Sequence, residues 1–277
     1  MSSRGADVAD PVPAGAGAAQ FEVLPLRGIT DRVGAHLSPG VRVTVTASPA
    51  HGLEATLAVA CELAGRGFTA VPHLPARQVR DQQEVRGILE RLESAGIHEV
   101  FVIAGDAPRP AGDFEGSLPL VELLAAEAPD LTIGVGAHPE GHPFVDEREA
   151  MRLLRAKAEH ASYLVTQMCF EAVPLLAWMR GLRAAGIALP VRPGVAAPVG
   201  TARLLRIGAR IGVGRSLRML GGEGSGMRRL VGPGSWDPGA LLEDLDQARE
   251  EPGLALAGPH VYTFNDLEAA ARWRTDA

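Results

Sequence analysis

EVFVIAGD, residues Glu99 to Asp106, is the stretch from which the fold can be read. Val100, Phe101, Val102 and Ile103 form an unbroken apolar run, and Gly105 and Asp106 close it with a turn and a carboxylate. A run with no polar alternation is that of a strand buried on both faces, as in a parallel sheet. Working outward, seven further segments repeat the construction: FEVLPL (Phe21 to Leu26), RVTVTAS (Arg42 to Ser48), TAVPHLP (Thr69 to Pro75), LTIGVGAHP (Leu131 to Pro139), YLVTQM (Tyr163 to Met168), PVRPGV (Pro190 to Val195) and HVYTFN (His260 to Asn265).

Between them lie helical stretches at Gly52 to Gly65, Val79 to Ala95, Ser117 to Glu127, Asp146 to His160, Ala172 to Ala185, Thr201 to Ile211, Pro238 to Glu250 and Asp266 to Arg274. In the second, Val85, Ile88, Leu89 and Leu92 recur at helical spacing, and Gly96 stands just past the end as a C-cap. Alternating strands and helices demand a mostly parallel sheet, and eight strands favour closure. The expected fold is therefore α/β, a single-domain (β/α)8 TIM barrel over residues 21–277. Residues 1–20, rich in Ala, Gly and Pro without apolar periodicity, read as a disordered leader. Gly212 to Trp236, with GGEGSG and VGPGSW, reads as a long excursion before the last strand.

Composition narrows the function classes. The chain has 277 residues, enough for one such barrel, and a formal net charge of -6, which does not favour a nucleic-acid partner. Of its 27 basic residues only Lys157 is a lysine. Two cysteines, Cys61 and Cys169, supply neither a disulfide framework nor a four-ligand metal site. No apolar run approaches about 18 residues, so no membrane span is expected and the chain reads as a cytoplasmic protein. A homo-oligomeric state is left open.

Strand ends at the C-terminal face carry the chemistry of such barrels. The residues at or just past those ends are Thr46, His73, Asp106, His138, His142, Gln167 and Asn265. Glu22 stands out because it interrupts an apolar strand. Facing a pocket it would have its pKa raised by burial, as suits a general acid. Facing outward it would be an ordinary strand-start residue. Asp106 reads either as a functional carboxylate or as a turn residue. Gln167 would face the lumen and hydrogen-bond a heterocycle. His138 and His142 are spaced like a helical zinc pair, but Pro139, Gly141 and Pro143 exclude a helix there, leaving a polar loop or a pocket mouth. GGEGSG (Gly221 to Gly226) lacks the strand and the Gly-Lys pair of a phosphate loop. Lys157 lies in a helical stretch, which excludes Schiff-base chemistry from a strand lysine and makes it a solvated residue or a contact for an anionic ligand.

FEVLP, VTVT, PHL, AGDAP, AHPEGHP, TQMCFE, AAGIALPVRPGV and PHVYTFN, in this order, resemble the methylenetetrahydrofolate reductase family from Phe21 to about Trp273. The resemblance implies a barrel that binds FAD and uses NAD(P)H to reduce 5,10-methylenetetrahydrofolate to 5-methyltetrahydrofolate. By the same resemblance Glu22 is the general acid, Asp106 stabilises the developing iminium near flavin and pterin, and Gln167 binds the pterin. Thr46, His73, Gly105, Asp106, His138, His142 and Lys157 would contact FAD. The chain departs from the family at Ala104, where an Arg is usual, and at Ala150, Leu153 and Ala156, where the family's diphosphate and ribose contacts fall. Asp266 replaces the family's folate-tail Arg, with Arg192 as a displaced substitute. These departures raise two alternatives: hydride transfer from NAD(P)H without flavin, and a non-catalytic folate-binding homologue.

Overall fold

A computed structural model describes residues 19–47, 51–141, 145–200, 203–204 and 235–276. Among them, eight parallel strands close into a ring, each bonded to its neighbours on both sides. Seven come first: β1 (Gln20–Val23), β2 (Arg42–Val45), β3 (Thr69–Pro75), β4 (Glu99–Ile103), β5 (Thr132–Ala137), β6 (Tyr163–Met168) and β7 (Val191–Ala196). A short antiparallel pair, β8 (Val199–Gly200) and β9 (Ser235–Trp236), stands outside the ring. The last barrel strand, β10 (His260–Tyr262), fits between β7 and β1.

Helices α1 (Ile29–His36), α2 (Gly52–Gly65), α3 (Gln82–Ser94), α4 (Ser117–Glu127), α5 (Glu147–Ala158), α6 (Ala172–Ala184), α7 (Gly239–Gln247) and α8 (Leu267–Asp276) accompany the strands. The leader up to residue 18, most of the 201–211 stretch and the Gly212 to Trp236 excursion up to residue 234 lie outside the described residues. Among the described residues no helix is long and apolar enough to cross a membrane.

Helix positions differ from the sequence reading for local reasons. The helix expected from Val79 begins only at Gln82, because the Asp81 side chain accepts the backbone N–H of Glu84 at 2.8 Å and caps α3 there. A 3-10 turn (Ala76–Gln78) precedes it. Helix α1 was not expected; ITDRVGAH is eight residues long and buries only Ile29, Thr30 and Val33, too few positions to establish a period. As expected, Gly96 follows α3 with a left-handed φ of 68°.

Strand alternation divides the interior into two. Phe21, Val23, Val43, Val45, Leu74, Val100, Val102, Ile133, Val135 and Leu164 face the helices and form the main core. Val71, Phe101, Tyr163 and Val165 form a second, separate cluster inside the ring. The period of two then sends Gln20, Glu22, Arg42, Thr44, His73 and Glu99 into the lumen as well. The ring closes tightly between β6, β7 and β10, where a side chain on Gly194 would stand 2.4 Å from the carbonyl oxygen of Thr166. Only glycine fits there.

Candidate active site

Glu22 settles its own orientation: it points into the lumen, with 16% of its side chain exposed. Its Oε2 lies 3.2 Å from Nε2 of His260 and 3.8 Å from Nε2 of His73. Both imidazoles are buried. The Gln20 amide nitrogen donates to Nδ1 of His260 at 2.7 Å, which leaves the proton of that ring on Nε2, facing the carboxylate. His73 packs edge-on against Phe101 with ring centroids 4.7 Å apart, and its Nε2 is buried with no hydrogen-bond partner. The backbone carbonyl of Glu22 is held by the Thr263 hydroxyl at 2.6 Å.

The electrostatics differ from the sequence expectation. Burial does push the Glu22 carboxyl up, and is the largest influence. The hydrogen bond from His260 and the charges of His73 and His260 outweigh it, so the group stays below the ordinary carboxylate range. A lone buried acid would have gone the other way; a pair of imidazoles reverses the sign. His73 itself is driven down to about 4, chiefly by burial, and is neutral at pH 7.

Asp106 sits in the loop after β4, exposed at the same C-terminal face. Its loop is fastened by Arg77, whose guanidinium donates to the carbonyls of Ala107 at 2.6 Å, Glu115 at 2.9 Å and Pro108 at 2.9 Å. Gly105 has φ 86°, and a Cβ there would meet Pro75 at 2.8 Å, so the turn into Asp106 requires glycine. Thr46, Gly105 and Asp106 follow β2 and β4, and His73 lies within β3, the strand between those two in the ring. Gln167 lies in a register shift between Val165 and Met168, and its Oε1 accepts the N–H of Met168 at 2.8 Å. His138 is half-buried just past β5. His142 lies outside the described residues.

Two residues are placed differently from their expected roles. Lys157 is half-buried, with Nζ 3.5 Å from the carbonyl of Gly136, and burial brings the ammonium down to about 8. Arg192 is not brought near Glu22 or Asp106. It is the second residue of β7, at the opposite end of the lumen, with its guanidinium 5.5 Å from the Tyr163 ring centroid and 3.2 Å from the carbonyl of Gly258. Arg42 and Glu99, the first residues of β2 and β4, form an ion pair beside it. The cation at Asp266 is instead Arg203, at 3.6 Å, which also donates to the carbonyl of Phe264. Asn265 serves the fold, since its side chain brackets the backbone of Leu24 through Oδ1 at 2.7 Å and Nδ2 at 3.2 Å.

The residues that sequence reading missed are His260, Gln20 and Arg77. His260 opens its strand directly after Pro259, so it lacked the mark that Glu22 carries between Phe21 and Val23. Gln20 and Arg77 carried no such mark.

Comparison with known proteins adds an independent line. The sequence profile described as methylenetetrahydrofolate reductase matches residues 24–213, more than half of the chain. Methylenetetrahydrofolate reductase 1 of Schizosaccharomyces pombe is 32% identical over 116 residues, 39% of this chain and 19% of that protein. Methylenetetrahydrofolate reductase 2 of Saccharomyces cerevisiae is 25% identical over 172 residues, 58% of this chain and 26% of that protein. The matched region thus spans a fifth to a quarter of these relatives' length. Among solved structures, oxaloacetate acetylhydrolase superposes with a TM-score of 0.53 at 11% identity, covering 92% of this chain and 77% of that one, a likeness of fold alone. By its matched profile, its motif order and its closed barrel, the chain belongs to the methylenetetrahydrofolate reductase family.

Proposed function

We propose that this protein reduces 5,10-methylenetetrahydrofolate to 5-methyltetrahydrofolate with NAD(P)H, in the barrel mouth above Glu22. The observation that supports the reading is the orientation of Glu22, a carboxylate aimed into the lumen beside two buried imidazoles, which the family resemblance makes the general acid. Opening the methylene bridge breaks a C–N bond: a proton must reach the departing nitrogen while the remaining nitrogen takes up the cationic iminium. A hydride added to that iminium carbon completes the methyl group. One proton and one hydride balance the reaction.

Glu22 supplies the proton. In the open lumen it is a carboxylate at neutral pH. A pterin covering its exposed edge adds to the burial that already pushes it up, so proton uptake is tied to substrate binding. Asp106, in the loop that Arg77 fastens through Ala107 and Pro108, is the negative charge for the iminium that forms at the mouth. Gln167, whose oxygen accepts from the N–H of Met168, has its amide nitrogen left for the pterin.

The positions where the family's diphosphate contacts fall carry no cation here, although Arg148 and Arg155 stand elsewhere on the same helix. A diphosphate needs cationic partners or a helix N-terminus. On α5, Ala150, Leu153 and Ala156 are uncharged, Lys157 reaches the Gly136 carbonyl, and Arg152 is paired with Glu149 at 2.7 Å on the outer surface. Direct hydride transfer from NAD(P)H to the folate is therefore the form of the reaction we favour. The test is reduction of methylenetetrahydrofolate by freshly purified protein, with its visible spectrum recorded first. Turnover by colourless protein without added flavin is expected. Flavin absorbance with FAD-dependent turnover would overturn direct transfer, and tetrahydrofolate binding without any NAD(P)H oxidation would overturn catalysis itself.

A further inference from the structure

The hydrogen-bonded row Gln20–His260–Glu22 contains one residue that can act in two ways. Gln20 is fully buried on β1, and its amide nitrogen donates to Nδ1 of His260 while its Oε1 is buried without a partner. Turning the amide over would let Oε1 accept from a protonated Nδ1 and leave the nitrogen unpaired instead. Neither orientation satisfies both ends, so the surroundings select neither strongly. A carboxylate in that place would only accept, locking a proton on Nδ1. The amide permits both tautomers.

The tautomer matters because Nε2 of the same ring faces Oε2 of Glu22 at 3.2 Å. With the proton on Nε2, His260 donates to an ionised Glu22. With the proton on Nδ1, Nε2 accepts from a protonated Glu22. Each state makes both bonds of the row, and the two differ only by the proton on Glu22 and the direction of donation. The other groups facing Glu22 do not compete. His73 from β3 stands 3.8 Å away, beyond hydrogen-bonding range. From β10, Tyr262, level with Glu22 in the ladder, commits its hydroxyl to the carbonyl of Thr166 at 3.1 Å. Thr44 from β2, also level with Glu22, has a buried hydroxyl without a partner.

We propose that His260, permitted by Gln20 to reverse its tautomer, is the positioning residue that controls when Glu22 holds its proton. It keeps the carboxylate oriented and ionised in the open lumen and accepts from the acid once substrate covers it. This rests on the reading of Glu22 as proton donor.

The experiment compares wild type, His260→Phe and His260→Gln by two readouts: the alkaline limb of the pH profile of kcat/KM, and an infrared titration of the Glu22 carboxyl in substrate-free protein, assigned with Glu22→Gln. Phe keeps the ring packing on Tyr262 and removes the donor, whereas Gln restores an N–H. Losing a donor to a charged group should move both midpoints up by about one pH unit or more in His260→Phe. His260→Gln should return them towards wild type. Unmoved midpoints in folded His260→Phe overturn the proposal. Should His260→Phe fail to fold, His260→Leu takes its place, since it also removes the donor to Glu22, and an unmoved midpoint there overturns the proposal equally. If Glu22→Gln turns over normally, the general-acid reading falls as well. If Glu22→Gln is inactive and the midpoints stay put, only the role of His260 falls.

Discussion

The middle and the floor of the lumen each bury a carboxylate, and they neutralise it by opposite means. On the floor Glu99 is paired with Arg42, with Arg192 and Tyr163 beside them. Guanidinium does not titrate in proteins, so the counter-ion of Glu99 is permanent. In the middle, Glu22 has only imidazoles, one of them already neutral at pH 7 and the other joined to a reversible amide. The same chemical group thus has a permanent counter-ion on the floor and titratable neighbours in the middle, which is the arrangement the proposed proton transfer from Glu22 requires.

Four substitutions test the contrast, beginning with the largest effect. Glu22→Gln should lower methylenetetrahydrofolate reduction by about 10²- to 10⁴-fold while changing stability by less than about 1 kcal/mol, seen by paired assay and thermal melt. Arg42→Met should reverse that pattern. It leaves Glu99 buried without its permanent partner and should cost about 3 kcal/mol, the low end of the range because 30% of the Arg42 side chain is exposed. The rate at a temperature where the variant is folded should hold. If Arg42→Met abolishes turnover without destabilising, the division of labour is wrong.

The third concerns acid. His73 has a folded pKa of about 4 against an ordinary 6.5, so the unfolded chain binds more protons between those values. Its stabilising contribution is complete above about pH 6.5 and is lost as pH falls towards 4, amounting to about 2 kcal/mol between pH 7 and 5. His73→Phe, which can pack on Phe101, should flatten that part of the stability–pH curve in denaturant titrations at the two pH values. The smallest effect belongs to Arg192→Met. Losing its place over Tyr163 and its bond to Gly258 should cost about 1 kcal/mol. The KM for the folate should not move, whereas a severalfold rise would return Arg192 to the substrate.

Much of this was legible in the chain. Eight apolar segments require burial on both faces, and that requirement closes the ring, because period and hydrophobicity are properties of the strand itself. Glu22 could be singled out because a carboxylate amid Phe21 and Val23 is costly without a purpose, whereas His260, at a strand start after Pro259, carried no such signal. What no local pattern contains is which residues meet across the lumen. His260 lies 238 residues from Glu22, and only the stagger of a closed barrel brings their side chains to hydrogen-bonding distance. That meeting inverted the direction of the Glu22 titration, since burial is a property of one residue and charge compensation a property of two. For the same reason Arg192 could be recognised as an unusual charge in a strand, while its end of the barrel was decided by tertiary structure alone.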